Sequence, residues 1–126
     1  MDSTNTNVEL IVQQGENVLI SMKDLKKVAK KNGKVRSDMY ERYCANLHSY
    51  YVYTLMDPEI ENAPEVVDFQ EKLNLFRDYF KEVTKDFEST VDTKGANEAY
   101  DNVFPAYNAM VSALGFPDKQ VTAKKF

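Results

Sequence analysis

Cys44 and His48 stand four residues apart, the interval that brings two side chains onto one face of a helix, with Glu41 one turn earlier on nearly the same face. A thiolate, an imidazole and a carboxylate so placed are ligands that zinc accepts. A structural zinc site takes four ligands and a catalytic one usually three, yet the chain holds no second Cys or His. The pair therefore reads as packing residues, and neither a metal nor another cofactor is expected.

A second set of reactive groups is the acidic connector Asp57, Glu59, Glu61 and Glu65. Paired carboxylates divide acid and base work only when their surroundings push their pKa values apart. These four lie on a proline-bounded loop where water reaches all of them. The sharp-turn glycine of a calcium loop is missing. Ser49 and His48 are adjacent, so on a helix they point in different directions and form no dyad. No glycine-rich phosphate loop, nucleophile elbow or H-E-x-x-H pattern occurs. The expectation is a protein that is not an enzyme.

The third set is basic. Ser21 to Cys44 carries eight cationic and three anionic residues, a balance of +5, whereas Asp57 to Asp101 carries thirteen anionic and five cationic, a balance of −8. A helix ending at Asn32-Gly33, followed by one opening at Ser37-Asp38, has a helix-turn-helix outline. Lys26, Lys27, Lys30, Lys31, Lys34, Arg36 and Arg42 would be its phosphate-contacting residues. Against that reading, Asp38 and Glu41 occupy the early positions of the would-be recognition helix, where phosphate repels them. Its apolar pattern also runs on for about twenty residues, beyond a compact recognition helix.

These groups must be carried by elements, and the clearest one is Val66, Phe69, Leu73, Phe76, Phe80, Val83 and Phe87. Each step is three or four residues, so the spacing predicts one long helix from about Pro64 to about Thr90 with a buried aromatic stripe. Read as heptads, the stripe has too many phenylalanines and no charge ladder, which favours an antiparallel bundle over a dimeric zipper. Ser21 is placed as the cap of a short helix with Asp24 three residues on. A helix opening at Ser37 carries Met39, Tyr40, Tyr43, Cys44, Leu47, Tyr51 and Leu55 on its face, and Asp57-Pro58 ends it. The last helix, Ala96 to Leu114, contains Pro105, which should kink or split it, and stops at Gly115. Val8 to Val12 and Val18 to Ile20 are rich in β-branched residues around Gln13-Gln14-Gly15-Glu16-Asn17, the pattern of a β-hairpin.

The predicted fold is thus mainly α: a compact bundle of about four helical segments with a short N-terminal β-hairpin. Residues 8–116 form its single domain, 1–7 a mobile tail and 117–126 a loose C-terminal tail. With no signal peptide pattern, no run of eighteen apolar residues and one cysteine, a cytoplasmic protein without a membrane partner is expected. The apolar excess lies from Tyr50 to Met56 and around Leu75 and Tyr79; Tyr50, Tyr51, Tyr53 and Met56, or else the edge of the hairpin, are the expected partner-binding surface. The function expected is a small non-enzymatic interaction protein: an adaptor, an inhibitor or a structural accessory, the viral accessory kind included. Its partner would be another protein or its own copy. A DNA-binding regulator using the basic segment is the alternative.

Overall fold

The apolar residues of the N-terminal third recur at helical intervals: Val8, Ile11, Val12, Gly15, Val18, Leu19, Met22 and Leu25. In the computed structural model they line one buried side of a single helix, α1, Ser3–Asn32. The structure describes residues 3–32, 37–81 and 91–122, and the side chains there other than those of 3–6, 28–32 and 37. The expected hairpin is not formed, and the described residues contain no strand. A strand would put Leu10 on one face with Val8 and Val12; instead Leu10 is 40% exposed and Ile11 is 0% exposed. The physical reason is a contest of magnitudes. A valine or isoleucine costs a helix at most about 0.7 kcal/mol relative to alanine, whereas burying each contributes roughly 1.5–3 kcal/mol. Burial wins.

Two further expectations fall with the hairpin. Residues 3–7, read as tail, already belong to α1. Ser21 caps nothing: it is buried in mid-helix, where its hydroxyl donates to the Asn17 carbonyl at 3.2 Å and accepts from the Asn46 side-chain amide.

The remaining helices are α2, Ser37–Leu55; the single turn α3, Pro58–Glu61; α4, Pro64–Lys81; and α5, Thr93–Ala113. Side-chain pairings fix their directions. Tyr43 meets Phe76 and Tyr50 meets Phe69, so α2 and α4 are antiparallel. Phe69 meets Tyr107 and Phe76 meets Tyr100, so α4 and α5 are antiparallel as well. Gly15 faces Tyr107 and Met110 while Lys26 lies over Tyr100, which runs α1 against α5. The four long helices thus alternate up, down, up and down around one core, and α3 turns the corner between α2 and α4. Backbones approach closely at α1–α2 and α4–α5; α2 and α4 stand further apart, their seam filled by tyrosines.

The phenylalanine stripe occupies the centre. Val66, Phe69, Leu73, Phe76 and Phe80 are all buried, as their spacing predicts; Val83 and Phe87, and the extension of this helix to Thr90, lie outside the described residues. Pro105 does not split α5. It is exposed, and so is Asp101, whose carbonyl loses its amide partner to the proline ring and can take water instead.

Helix ends follow local chemistry. Asp57 accepts from the amides of Glu59 and Ile60 to start α3, and Asp92 accepts from the Gly95 amide to start α5. Gly115, at φ 95°, ends α5 with Phe116 N–H donating to the Val111 carbonyl and Gly115 N–H to that of Ser112, a Schellman closure. Beyond it the chain is not a loose tail up to Val121. Pro117–Lys119 forms a 3₁₀ turn, and the Asn108 side-chain amide both donates to and accepts from the Val121 backbone, at 2.7 and 2.8 Å.

Candidate functional site

Helix α2 carries most of the residues singled out by sequence, and its phase decides their roles. Tyr43, Leu47, Tyr50 and Thr54 form its inward stripe and are buried. Ala45, His48, Val52 and Leu55 form the opposite face and are exposed, as is Met56 in the turn that follows. Of the expected face, Tyr43 and Leu47 are buried and Met39, Tyr40, Cys44 and Tyr51 half-buried, whereas Leu55 is exposed. Among the four expected partner-binding residues, Tyr50 is fully buried, and its hydroxyl donates to the Met110 sulfur at 3.1 Å. It cannot meet a partner. Tyr51 and Tyr53 are half-buried, and Met56 is open to solvent. The 43–47–50–54 spacing was the available signal: steps of four, three and four place Tyr50 in register with Tyr43.

Between α2 and α4 the tyrosines form a polar seam. Tyr43 donates to the Leu73 carbonyl at 2.8 Å, and Tyr51 donates to Asn74 Oδ1 at 2.9 Å. Burial, helped by its bond to the Cys44 thiol, pushes the Tyr40 phenol up to about 12. Burial also raises Tyr43 and Tyr51, and in all three the Arg77 guanidinium works in the opposite sense. Arg77 approaches Asp78 at 3.8 Å, while its buried Nε makes no hydrogen bond among the described residues. Glu41 and His48 are exposed while Cys44 is half-buried, and no three potential metal ligands gather among the described residues.

The basic segment is not arranged as a helix-turn-helix. Ser21 lies eleven residues before the end of α1 and Asn46 nine after the start of α2, yet they are bonded. At 1.5 Å per residue both are roughly 15 Å from the turn, a separation at which helices crossing near 90–120° would have parted. The pair is an antiparallel αα-hairpin. Lys26 places its ammonium 4.0 Å from the centre of the Tyr100 ring, a cation–π contact with α5. Lys27 and Arg42 are exposed. Lys30 and Lys31 sit on α1, but their side chains, together with Lys34 and Arg36, lie outside the described residues.

Several large apolar side chains are exposed, among them Leu10 and Ile20 on α1 and Leu75 and Tyr79 on α4, and the densest sequence of them is at the end of α2. Val52 and Leu55 are 42% and 60% exposed on one face of the last turn of α2, and Met56, 65% exposed, follows in the turn after it. The α2–α4 pairing puts Val67, also exposed, at the same end of the bundle. Asp57, Glu59 and Glu61 follow directly, with Asp57 committed to capping α3. No described helix is long and apolar enough to cross a membrane. Compared with known protein families, curated proteins and solved structures, the chain matches none of them.

Proposed function

We propose that this is a small non-enzymatic interaction protein whose contact surface is the corner formed by the end of α2 and by α3. One observation carries the reading: three large apolar side chains stand exposed together, Val52 and Leu55 on the last turn of α2 and Met56 in the turn directly after it. Their spacing would have served a buried stripe equally well, but the bundle closes without them. Apolar side chains exposed in a group, rather than singly, mark contact surfaces on small proteins. Tyr51 and Tyr53 border this surface as half-buried, amphipathic residues.

The test is a double substitution, Leu55→Ser with Met56→Ser. Because both side chains already face water, helicity and melting temperature should stay unchanged, while binding to the native partner, or self-association by sedimentation, should fall by about tenfold or more. Unaltered binding would place the contact elsewhere. A DNA-binding regulator instead requires a duplex shift at low salt that disappears steeply as salt is raised. The interaction reading predicts no such shift.

A further inference from the structure

We infer that the α2–α3 corner takes a cationic amphipathic helix of another protein, an inference that rests on the reading of this corner as a contact surface. Charge is the first argument. From Tyr43 to Glu71 the chain contains six acidic residues, Asp57, Glu59, Glu61, Glu65, Asp68 and Glu71, and no lysine or arginine. Asp68 is bonded to Lys72 at 2.9 Å, whereas Glu59 and Glu61 form no ion pair among the described residues. Glu59 is three residues beyond Met56, so their Cα atoms are at most about 11 Å apart. Ile60 turns into the core and leaves Glu59 exposed and Glu61 half-buried beside it.

The helix itself adds to this field. The C-terminus of α2 presents the negative end of its dipole at Leu55, and no basic residue sits in its last turn. An apolar face that ends in a negative pole and continues into the carboxylates of Glu59 and Glu61 complements apolar side chains flanked by cations. It repels an acidic partner.

Shape selects a helix as the occupant. The exposed face Ala45, His48, Val52 and Leu55 extends over ten residue steps, about 15 Å along α2 at 1.5 Å per residue, and Met56 continues it just past the helix end. It is a ridge with helical spacing, matched by another helix that offers apolar anchors at i, i+3, i+4 and i+7. The described residues offer no strand edge for an extended peptide to join.

The experiment uses the full chain and three labelled synthetic peptides of about 18 residues, long enough for a stable amphipathic helix on contact. One has leucines at helical spacing with lysines elsewhere; one keeps the leucines but replaces lysine by glutamine; one keeps the lysines but replaces leucine by glutamine. Anisotropy should show the leucine–lysine peptide binding about tenfold or more tighter than either control, and weakening as salt rises. Leu55→Ser with Met56→Ser, and separately Glu59→Gln with Glu61→Gln, should each weaken it by about tenfold without changing the circular dichroism spectrum. Equal binding of the lysine–glutamine peptide would overturn the inference, since any acidic surface would then suffice. Equal binding of the leucine–glutamine peptide, lost in the serine variant, would overturn it too, while leaving the corner standing as an apolar contact surface. No binding of the leucine–lysine peptide, or its displacement by self-association of the chain, likewise counts against a cationic partner.

Discussion

The hydroxyl of Tyr50 on α2 points at the sulfur of Met110 on α5, 3.1 Å away, so a side chain from one wall of the bundle closes on the opposite wall through the core. The ring also meets Phe69 edge-on, with centroids 5.5 Å apart. Thioether sulfur is a weak acceptor, so the ring holds this position mainly through packing. Tyr50→Phe should therefore change stability by no more than about 1 kcal/mol, and Tyr50→Ala should cost about 3–5 kcal/mol. Chemical denaturation of both variants checks this. Equal, small effects would place the ring at the surface after all.

The glycines make opposite predictions. At Gly15 an added Cβ would meet Phe69, Tyr107 and Met110 side-chain atoms at 3.5–3.6 Å, ordinary contact, within a helix. Gly15→Ala should stabilise by about 0.5–1 kcal/mol through helix propensity. At Gly115 nothing lies within 4 Å, yet φ is 95°, so Gly115→Ala should destabilise by about 1–2 kcal/mol through backbone strain alone. Thermal melts that move in the same direction for both would contradict the placement of one of them.

Alkaline pH should unfold the protein. Burial, with the charge of Glu16 added at Tyr107, lifts Tyr40 and Tyr107 from 10.0 to about 12, and burial raises Tyr43 and Tyr50 as well. Tyrosines in the unfolded chain ionise near 10.0, so it releases protons there while the folded one keeps them. The stabilisation is complete below pH 10.0 and is lost as pH climbs toward 12. Phenolate absorbance and helical ellipticity should change together in that window. Tyrosines titrating at 10.0 with helicity intact would refute the buried seam.

Adjacent positions on α4 test its phase. Phe76 is fully buried among Tyr43, Phe80 and Tyr100, whereas Leu75 is exposed. Phe76→Asp should abolish cooperative folding, because an unpaired carboxylate in that core is very costly. Leu75→Asp should leave the melting transition within about 0.5 kcal/mol of the parent.

Much of α4 was legible because its signal is redundant: four successive steps of three or four, joining five large apolar residues, admit one face only. The stop at Gly115 was legible because a positive φ has a short list of tolerant residues. The hairpin was misread because Val and Ile favour strands, and Gly15 resembles a turn residue until its neighbours Phe69, Tyr107 and Met110 are known. For the contact surface, Met56 was visible but Tyr50 was assigned to the wrong side. A helix apolar nearly all round gives no phase of its own, and only its neighbours supply one.

By itself the sequence determined that the chain is helical, that a phenylalanine ridge must be interior, and that charge is split between a basic and an acidic region. Those properties are written in spacing and composition over short windows. The tertiary structure alone decided that α1 is one continuous helix, that Lys26 lies over Tyr100, and that the outer face of α2 is left uncovered. Each of these depends on which helices stand side by side, and burial against partners distant in sequence outweighs the local preferences of the residues involved.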